Sequence, residues 1–345
     1  MKKWVFAAAA ALIIELLSSV AYAAPAVSAG SAIVMHTGGE VVFEKNADER
    51  MLIASTTKLM TAIVAIENAD FEDSVAILPE HCAVEGSSMY LKAGQSRSVY
   101  ELLLGLMLAS GNDAALALSQ HVGGDTVGFT AMMNEKASSL GMDNTHFSNP
   151  HGLNAEEHYS SARDLALLMD YCMQNRDFAE LAGTKSCEIA GQTFINHNRL
   201  LQICPGCLGG KTGYTMLAGR CLVSCCQRGD TRFICVTLSA PNDWNDHCAL
   251  YDWAFSAYAD RDISQSVSFS VPVAAGAKQQ AEAVPEELWV FAEKDKEIQV
   301  TAELPRFEFA PIQKGDTAGR FTAYIDGKAV AEGKLLYNES VELKI

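Results

Sequence analysis

The sequence predicts an α+β chain in which a mixed domain of strands and helices is followed by a smaller β-rich domain. Three observations carry this. Short alternating apolar runs open and close the region up to about Asp262, with helical spacing between them. Beyond Asp262 the texture turns to alternation, and no helix longer than a turn or two is evident. The chain has 345 residues, too many for one small core, and nearly half are hydrophobic, so it is globular rather than disordered.

The elements follow in order. Residues 1–23 read as a targeting segment: Lys2 and Lys3 supply a positive start, Trp4 to Leu17 an apolar stretch, and Ala21-Tyr22-Ala23 a small-x-small cleavage site. Glu15 interrupts the apolar run and argues against a permanent span. Two β-type runs around Gly38-Gly39 form a hairpin signal. A buried helix is expected from about Thr56 to Glu67. Val99 to His121 is helical but broken near Ser110-Gly111-Asn112. Asp125 to Leu140 reads as a helix stopped by Gly141, and Ser161 to Asn175 as one begun by a serine. From Lys211 the period changes to two strands around Arg228-Gly229-Asp230, and "DHCALYDWAFSAY" restores helical spacing. The β-rich domain is placed at residues 263–345, after a first domain at 24–262. It contains the alternating "SVSFSVPV" and a hairpin around Asp326-Gly327.

The formal charge is −16, and cleavage of the leader with its two lysines and one glutamate makes it −17. A chain this acidic does not track nucleic acid, so an anionic substrate must be held by local cations. Ten cysteines in an exported chain first suggest disulfides. Cys221, Cys225 and Cys235 lie in apolar alternating runs, where cysteine behaves as a small hydrophobe. Cys204-Pro205-Gly206-Cys207 has the spacing of a redox pair or of zinc ligands, and equally suits a disulfide or two reduced thiols.

Three short motifs bear on chemistry. In "IASTTKLMTAIVAIE" Ser55 and Lys58 lie one helical turn apart, at the mouth of a helix that is apolar almost all round. A serine hydroxyl is a poor nucleophile unless a neighbour takes its proton. A lysine can do so only if its pKa falls from about 10.4, and a three-unit fall costs roughly 4 kcal/mol. The alternative is a lysine whose stem covers the helix while its head reaches water. "ASGNDAALAL" supplies Ser110 and Asn112 at a helix break, where they relay a proton and bind an amide, or cap the helix. "GGKTGYT" supplies Lys211, Thr212 and Gly213 at the start of a β-run. Lys211 and Thr212 suit a carboxylate, and Gly213 admits a substrate backbone to the strand edge; a plain β-turn is the alternative.

Ser-x-x-Lys, Ser-x-Asn and Lys-Thr-Gly, in that order, resemble the motif set of penicillin-binding proteins and class A β-lactamases. With "SNPHGLN" (148–154), "YSSARDLALL" (159–168) and "CLGGKTGYTMLAGRCLV", residues 27–262 resemble the low-molecular-weight penicillin-binding proteins, the serine-type D-alanyl-D-alanine carboxypeptidases. The resemblance implies a serine β-lactamase/transpeptidase-like fold: an antiparallel sheet, flanking helices and a helical subdomain. It implies catalytic roles for Ser55 as the acylated nucleophile, Lys58 as its proton acceptor and Ser110 as a proton relay. Asn112, Lys211, Thr212, Gly213 and Tyr214 would bind substrate, with the backbone N–H groups of Ser55 and Tyr214 forming an oxyanion hole. His151 lies in a matching segment and also suits a structural role.

The implied reaction is removal of the terminal D-alanine from peptidoglycan stem peptides, with β-lactam antibiotics as covalent inhibitors and no metal or cofactor. A β-lactamase or a non-catalytic peptidoglycan-binding protein are the alternatives. Many family members end in an amphipathic helix that lies on the membrane; this chain ends "LLYNESVELKI", which alternates like a strand and has no such face.

Overall fold

The computed structural model describes residues 23–345. The expected leader therefore lies outside the described residues except for Ala23. The chain divides into two compact units, the first ending at Ala254 and the second running from Phe255 to Ile345.

The first unit is built on a five-stranded antiparallel sheet. Its strands are β1 (Ser31–His36), β2 (Val41–Lys45), β3 (Cys207–Thr215), β4 (Gly219–Arg228) and β5 (Thr231–Leu238), in the spatial order β2-β1-β5-β4-β3. The sheet thus joins an early hairpin to three late strands, as the change of period at both ends of this region predicts. The longer helices are α1 (Lys58–Asn68), α2 (Val99–Leu108), α3 (Asn112–Gly123), α4 (Thr126–Ser139), α5 (Ala162–Gln174), α6 (Arg176–Gly183) and α7 (Asp243–Ala257). Helix α1 buries every residue from Lys58 to Ala65. That burial explains its all-round apolar sequence: other helices surround it.

Local chemistry sets the helix ends. Ser98 opens α2 with a capping box, its hydroxyl accepting from the Glu101 N–H while the Glu101 carboxylate accepts from the Ser98 N–H. Asp125 and Ser161 cap α4 and α5 through the N–H groups of Gly128 and Asp164. At α3 the side chains expected to cap do something else. The cap position is Gly111 and receives no side-chain bond, because Asn112 and Asp113 both reach across to the segment 85–91. The Asn112 N–H donates to the Ser87 carbonyl (2.8 Å), and its side-chain amide donates to the Glu85 carbonyl (2.7 Å). The buried Asp113 carboxylate accepts from the Met89, Leu91 and Ala114 N–H groups (3.0, 3.0 and 2.9 Å) and from the Ser88 hydroxyl (2.6 Å).

The second unit is β-rich. A six-stranded sheet runs Gln299–Glu303, Thr317–Ile325, Lys328–Tyr337, Gln280–Pro285, Phe269–Ala274, Glu308–Phe309. Its core includes Val271, Ala283, Val290, Phe321 and Leu335. The hairpin around Asp326-Gly327 is present, with Ile325 opposite Lys328. The division between units falls earlier than the expected boundary after Asp262. The reason is a strand, Tyr258–Asp262, that pairs with Trp289–Glu293 of the same second unit.

Asp113 gives a direct test of how the segment 85–91 is held. Asp113→Ala leaves three buried backbone donors, the Met89, Leu91 and Ala114 N–H groups, without this acceptor and should cost about 3 kcal/mol or more. Asp113→Asn, which keeps one acceptor oxygen, should cost less. Urea unfolding of the three proteins measures the order; equal stability would show that the segment is held by other contacts.

Candidate active site

Ser55 lies in a short 3-10 turn, Ala54–Thr57, that runs directly into α1. Ala54 has φ of 47°, a left-handed conformation that costs a residue with a Cβ some stability. The turn is therefore held by its surroundings. The Thr56 hydroxyl donates to the Ile53 carbonyl (2.7 Å) and the Thr57 hydroxyl to the Ala54 carbonyl (2.9 Å). His158 braces Thr57 from the far side. Its Nδ1 accepts from the Ser148 N–H (3.1 Å), so the ring proton sits on Nε2, 2.8 Å from Thr57 Oγ1. Burial, reinforced by the charges of His146 and Lys58, lowers His158 to about 4, which keeps the ring neutral at pH 7.

Lys58, the first residue of α1, is fully buried. Its Nζ lies 2.9 Å from Ser55 Oγ, 2.7 Å from Asn112 Oδ1 and 2.6 Å from the His151 carbonyl oxygen. The Asn112 amide is oriented by its NH2 group, which donates to Glu85, so its oxygen faces the lysine. Two of the three partners, the amide and backbone oxygens, can only accept. Burial, then the positive charge of Lys211, holds Lys58 well below the ordinary lysine range, with Asp113 opposing. A neutral amine has two N–H bonds and one lone pair. Two donations to the fixed acceptors leave the third position on Nζ facing the Ser55 hydroxyl, which accepts from the ammonium and meets the lone pair of the neutral amine.

Lys211 and Ser110 form the second half of the site. Lys211 lies in β3 and is also buried; its Nζ donates to Ser110 Oγ and to the Thr212 carbonyl, both at 3.0 Å. Burial lowers Lys211 to about 7. Ser110 takes φ of 58° immediately before α3, which is how a residue outside the helix turns its hydroxyl toward the sheet. The site thus spans α1, the start of α3 and β3.

Gly213 has a different reason from the one its sequence suggests. A Cβ there would lie 2.9 Å from both the Ser55 N and the Ile53 O, and 3.1 Å from the Ala54 Cβ. Glycine is required by the protein's own Ser55 turn, which packs against the strand at this point. His151 contributes a backbone carbonyl to Lys58. Its ring accepts from the Leu153 N–H (3.2 Å) and is lowered to about 3 by burial and then by Lys58.

Ser55, Ser110, Thr212, Gly213 and Tyr214 line a cleft of about 290 Å³, while Lys58, Asn112 and Lys211 stand behind its wall. The cleft has further walls that sequence reasoning did not find: Ser87, His197, Arg220, Asp243 and Trp244. Arg220 lies opposite Tyr214 in the β3–β4 ladder, donates to the buried Asp243 carboxylate (2.9 Å) and stands 5.4 Å over the Trp244 ring. The hairpin register identifies Arg220 once β3 is known. Asp243 and Trp244 arrive from the start of α7, and no local spacing marks them.

Comparison with known proteins gives the same answer along the chain. Residues 18–242 match the family described as D-alanyl-D-alanine carboxypeptidase, and residues 264–343 match the C-terminal domain of penicillin-binding protein 5. D-alanyl-D-alanine carboxypeptidase DacF of Bacillus subtilis is 33% identical over 88% of this chain and 83% of its own length. DacC of Escherichia coli is 33% identical over 92% of this chain and 86% of its own. The crystal structure of penicillin binding protein 5 from Haemophilus influenzae superposes with a TM-score of 0.73 at 27% identity, covering 93% of this chain and 99% of that one. The antiparallel sheet with its helices and the β-rich second unit are therefore those of the penicillin-binding proteins. With matches in both units and relatives that run nearly its whole length, this chain belongs to the D-alanyl-D-alanine carboxypeptidase family.

Proposed function

We propose that this protein is a serine D-alanyl-D-alanine carboxypeptidase that acts outside the cytoplasm on peptidoglycan stem peptides. The observation that carries the reading is the donor count at Lys58: a buried amine whose remaining valence faces the Ser55 hydroxyl. Family membership supports the substrate class. Among the described residues no helix is long and apolar enough to cross a membrane.

The geometry supports the following course of reaction. Ser55 Oγ attacks the carbonyl carbon of the D-Ala–D-Ala bond as its proton passes to Lys58 Nζ. Negative charge grows on the carbonyl oxygen, for which the backbone N–H groups of Ser55 and Tyr214 are the donors. The C–N bond breaks as Ser110, hydrogen-bonded to Lys211, gives its hydroxyl proton to the departing D-alanine amine and takes back the proton held by Lys58, which leaves Lys58 neutral. Water then attacks the Ser55 ester carbonyl, Lys58 accepts the water proton, and the ester C–O bond breaks as that proton returns to Ser55 Oγ. Lys211 holds the substrate's terminal carboxylate, which is how a chain of formal charge −16 retains an anion. A β-lactam enters by the same attack and remains as the Ser55 ester.

Penicillin should add once, at Ser55, as read by intact mass and peptide mapping, and Ser55→Ala should fold without forming the adduct. Lys58→Ala should slow acylation by about a hundredfold or more. Lys58→Arg should do nearly as badly, because a guanidinium stays protonated. Near-normal acylation in Lys58→Arg would mean that position 58 supplies only charge.

The pH dependence has a definite sign. Lys58 accepts a proton only when neutral, so acylation falls as pH drops through its folded pKa. The Lys211 charge is one of the causes that lower that pKa. Lys211→Ala should therefore move the acid limb of the acylation profile to higher pH. A limb that stays in place or moves down would remove Lys58 as the titrating group.

Lys211→Ala should also depress kcat/KM for a free-acid peptide about ten- to a hundredfold more than for its C-terminal amide, the worth of one charge-assisted hydrogen bond. An unchanged acid-to-amide ratio would show that another cation reads the carboxylate; Arg220 is the one that lines the cleft.

A further inference from the structure

A second cluster of reactive side chains lies in the first unit, outside the catalytic cleft. Cys204-Pro205-Gly206-Cys207 folds as a tight turn. The Cys207 N–H donates to the Cys204 carbonyl (3.2 Å), and Gly206 has φ of 84°. Proline at the second position and a positive-φ glycine at the third are the demands of a type II turn. A Cβ on Gly206 would lie 2.2 Å from the Gln227 carbonyl oxygen, while the Gln227 N–H donates to the Gly206 carbonyl (2.9 Å). The turn is thereby pressed onto the end of β4.

That placement aims Cys204 at the sheet. Its Sγ lies 3.7 Å from Sγ of Cys226, whose β4 position is opposite Cys207 in the ladder. Cys248, on α7, also reaches the Cys204 thiol. Among the described residues no group of three or more His, Cys, Asp or Glu side chains is disposed to hold a metal ion. The cluster therefore points to thiol chemistry.

The geometry assigns Cys204 and Cys226 as a disulfide-forming pair, oxidised by small-molecule disulfides, that locks the open end of the β3–β4 hairpin. The residues Met216 to Ala218 turn the closed end of that hairpin, and the strand between carries Lys211 and Gly213. Cys204 is the attacking group. The hydrogen bond from Cys226 lowers its pKa to about 7, with burial opposing, and Cys248 and the Arg228 guanidinium assist. Arg228 is fixed beside the turn by its bonds to the Pro205 carbonyl (3.2 Å) and to Asp252 (2.7 Å). The same contact with Cys204 pushes Cys226 up, so Cys226 stays a thiol until it resolves the intermediate. A surface cavity lined by Lys185, Gln202, Pro205 and Gly206 opens beside Cys204 and Cys207 and admits the oxidant.

The steps balance with a disulfide as the oxidant. The Cys204 thiolate attacks one sulfur of glutathione disulfide, forming a mixed disulfide and releasing one glutathione thiolate. Cys226 loses its proton and attacks Cys204 Sγ, which expels the second glutathione. Two protein thiols are oxidised by two electrons, and one glutathione disulfide is reduced to two glutathione molecules, which take up the two protons.

The test uses the full-length protein, reduced and then equilibrated with glutathione disulfide, with remaining thiols alkylated in denaturant and peptides mapped by mass spectrometry. The expected product is one intramolecular bridge joining the Cys204 and Cys226 peptides, reversed by dithiothreitol. Cys226→Ser should trap glutathione on Cys204, and Cys204→Ser should yield neither the bridge nor that adduct. Penicillin acylation of both variants checks that they are folded. A bridge from Cys204 to Cys248 or to Cys207 would overturn the pairing. Alkylation of both Cys204 and Cys226 after oxidation, with glutathione only on the exposed Cys82, would overturn the site.

Discussion

The burial of the Lys58 amine is the constraint on which the rest of the site depends. An ammonium at this depth needs three acceptors, whereas a neutral amine needs two acceptors and one donor. Asn112 and the His151 carbonyl supply the two acceptors from opposite sides, one at the start of α3 and one from the loop before Gly152. Each is itself fixed: Asn112 by Glu85 and Ser87, and the loop by Asn149, whose side chain accepts from the His151 and Gly152 N–H groups. The strained turn at Ala54 places Ser55 on the remaining side. Three separate regions of sequence thus meet at one nitrogen, and a displaced partner would leave either a buried donor unpaired or the Ser55 hydroxyl out of reach of the amine.

Much of the fold is legible because its signals are local. Gly38-Gly39, Arg228-Gly229-Asp230 and Asp326-Gly327 announce hairpins through turn chemistry alone, and each hairpin is present. The serine before α5 caps it as its position suggests. The apolar run after Lys58 is buried on all sides, as its composition demands. The hairpin Ser186–Ile189/Gln192–Ile195 and the short helix α6 escape notice because neither has the length or periodicity to stand above its surroundings.

The site was readable as a set of residue types but not as a set of reasons. Ser110 and Asn112 look like helix caps, and only the tertiary approach of α1 shows that Asn112 serves Lys58 while Gly111 takes the cap position. Gly213 looks like a gap left for substrate, yet the gap is filled by the Ser55 turn. The Cys204–Cys207 spacing suggests a pair within the turn, whereas Cys204 faces Cys226 on a neighbouring strand. His158 carries no motif at all; its role follows from a neutral tautomer that no spacing could reveal. In each case the missing information was a contact between segments far apart in sequence.

The depressed basicity of Lys211 makes the cleft a proton acceptor near neutrality. With a folded pKa of about 7, an appreciable fraction of Lys211 is uncharged before any ligand arrives. A carboxylate placed beside it stabilises the charged form and raises that pKa. In the proposed reaction, capture of an anion and uptake of a proton are therefore coupled. The uptake vanishes well below pH 7, where the amine is already charged, and again above the raised pKa, where it stays neutral even with the anion bound. Affinity for the anion then falls as pH rises between those limits, and the heat of binding carries the ionisation enthalpy of whatever buffer supplied the proton.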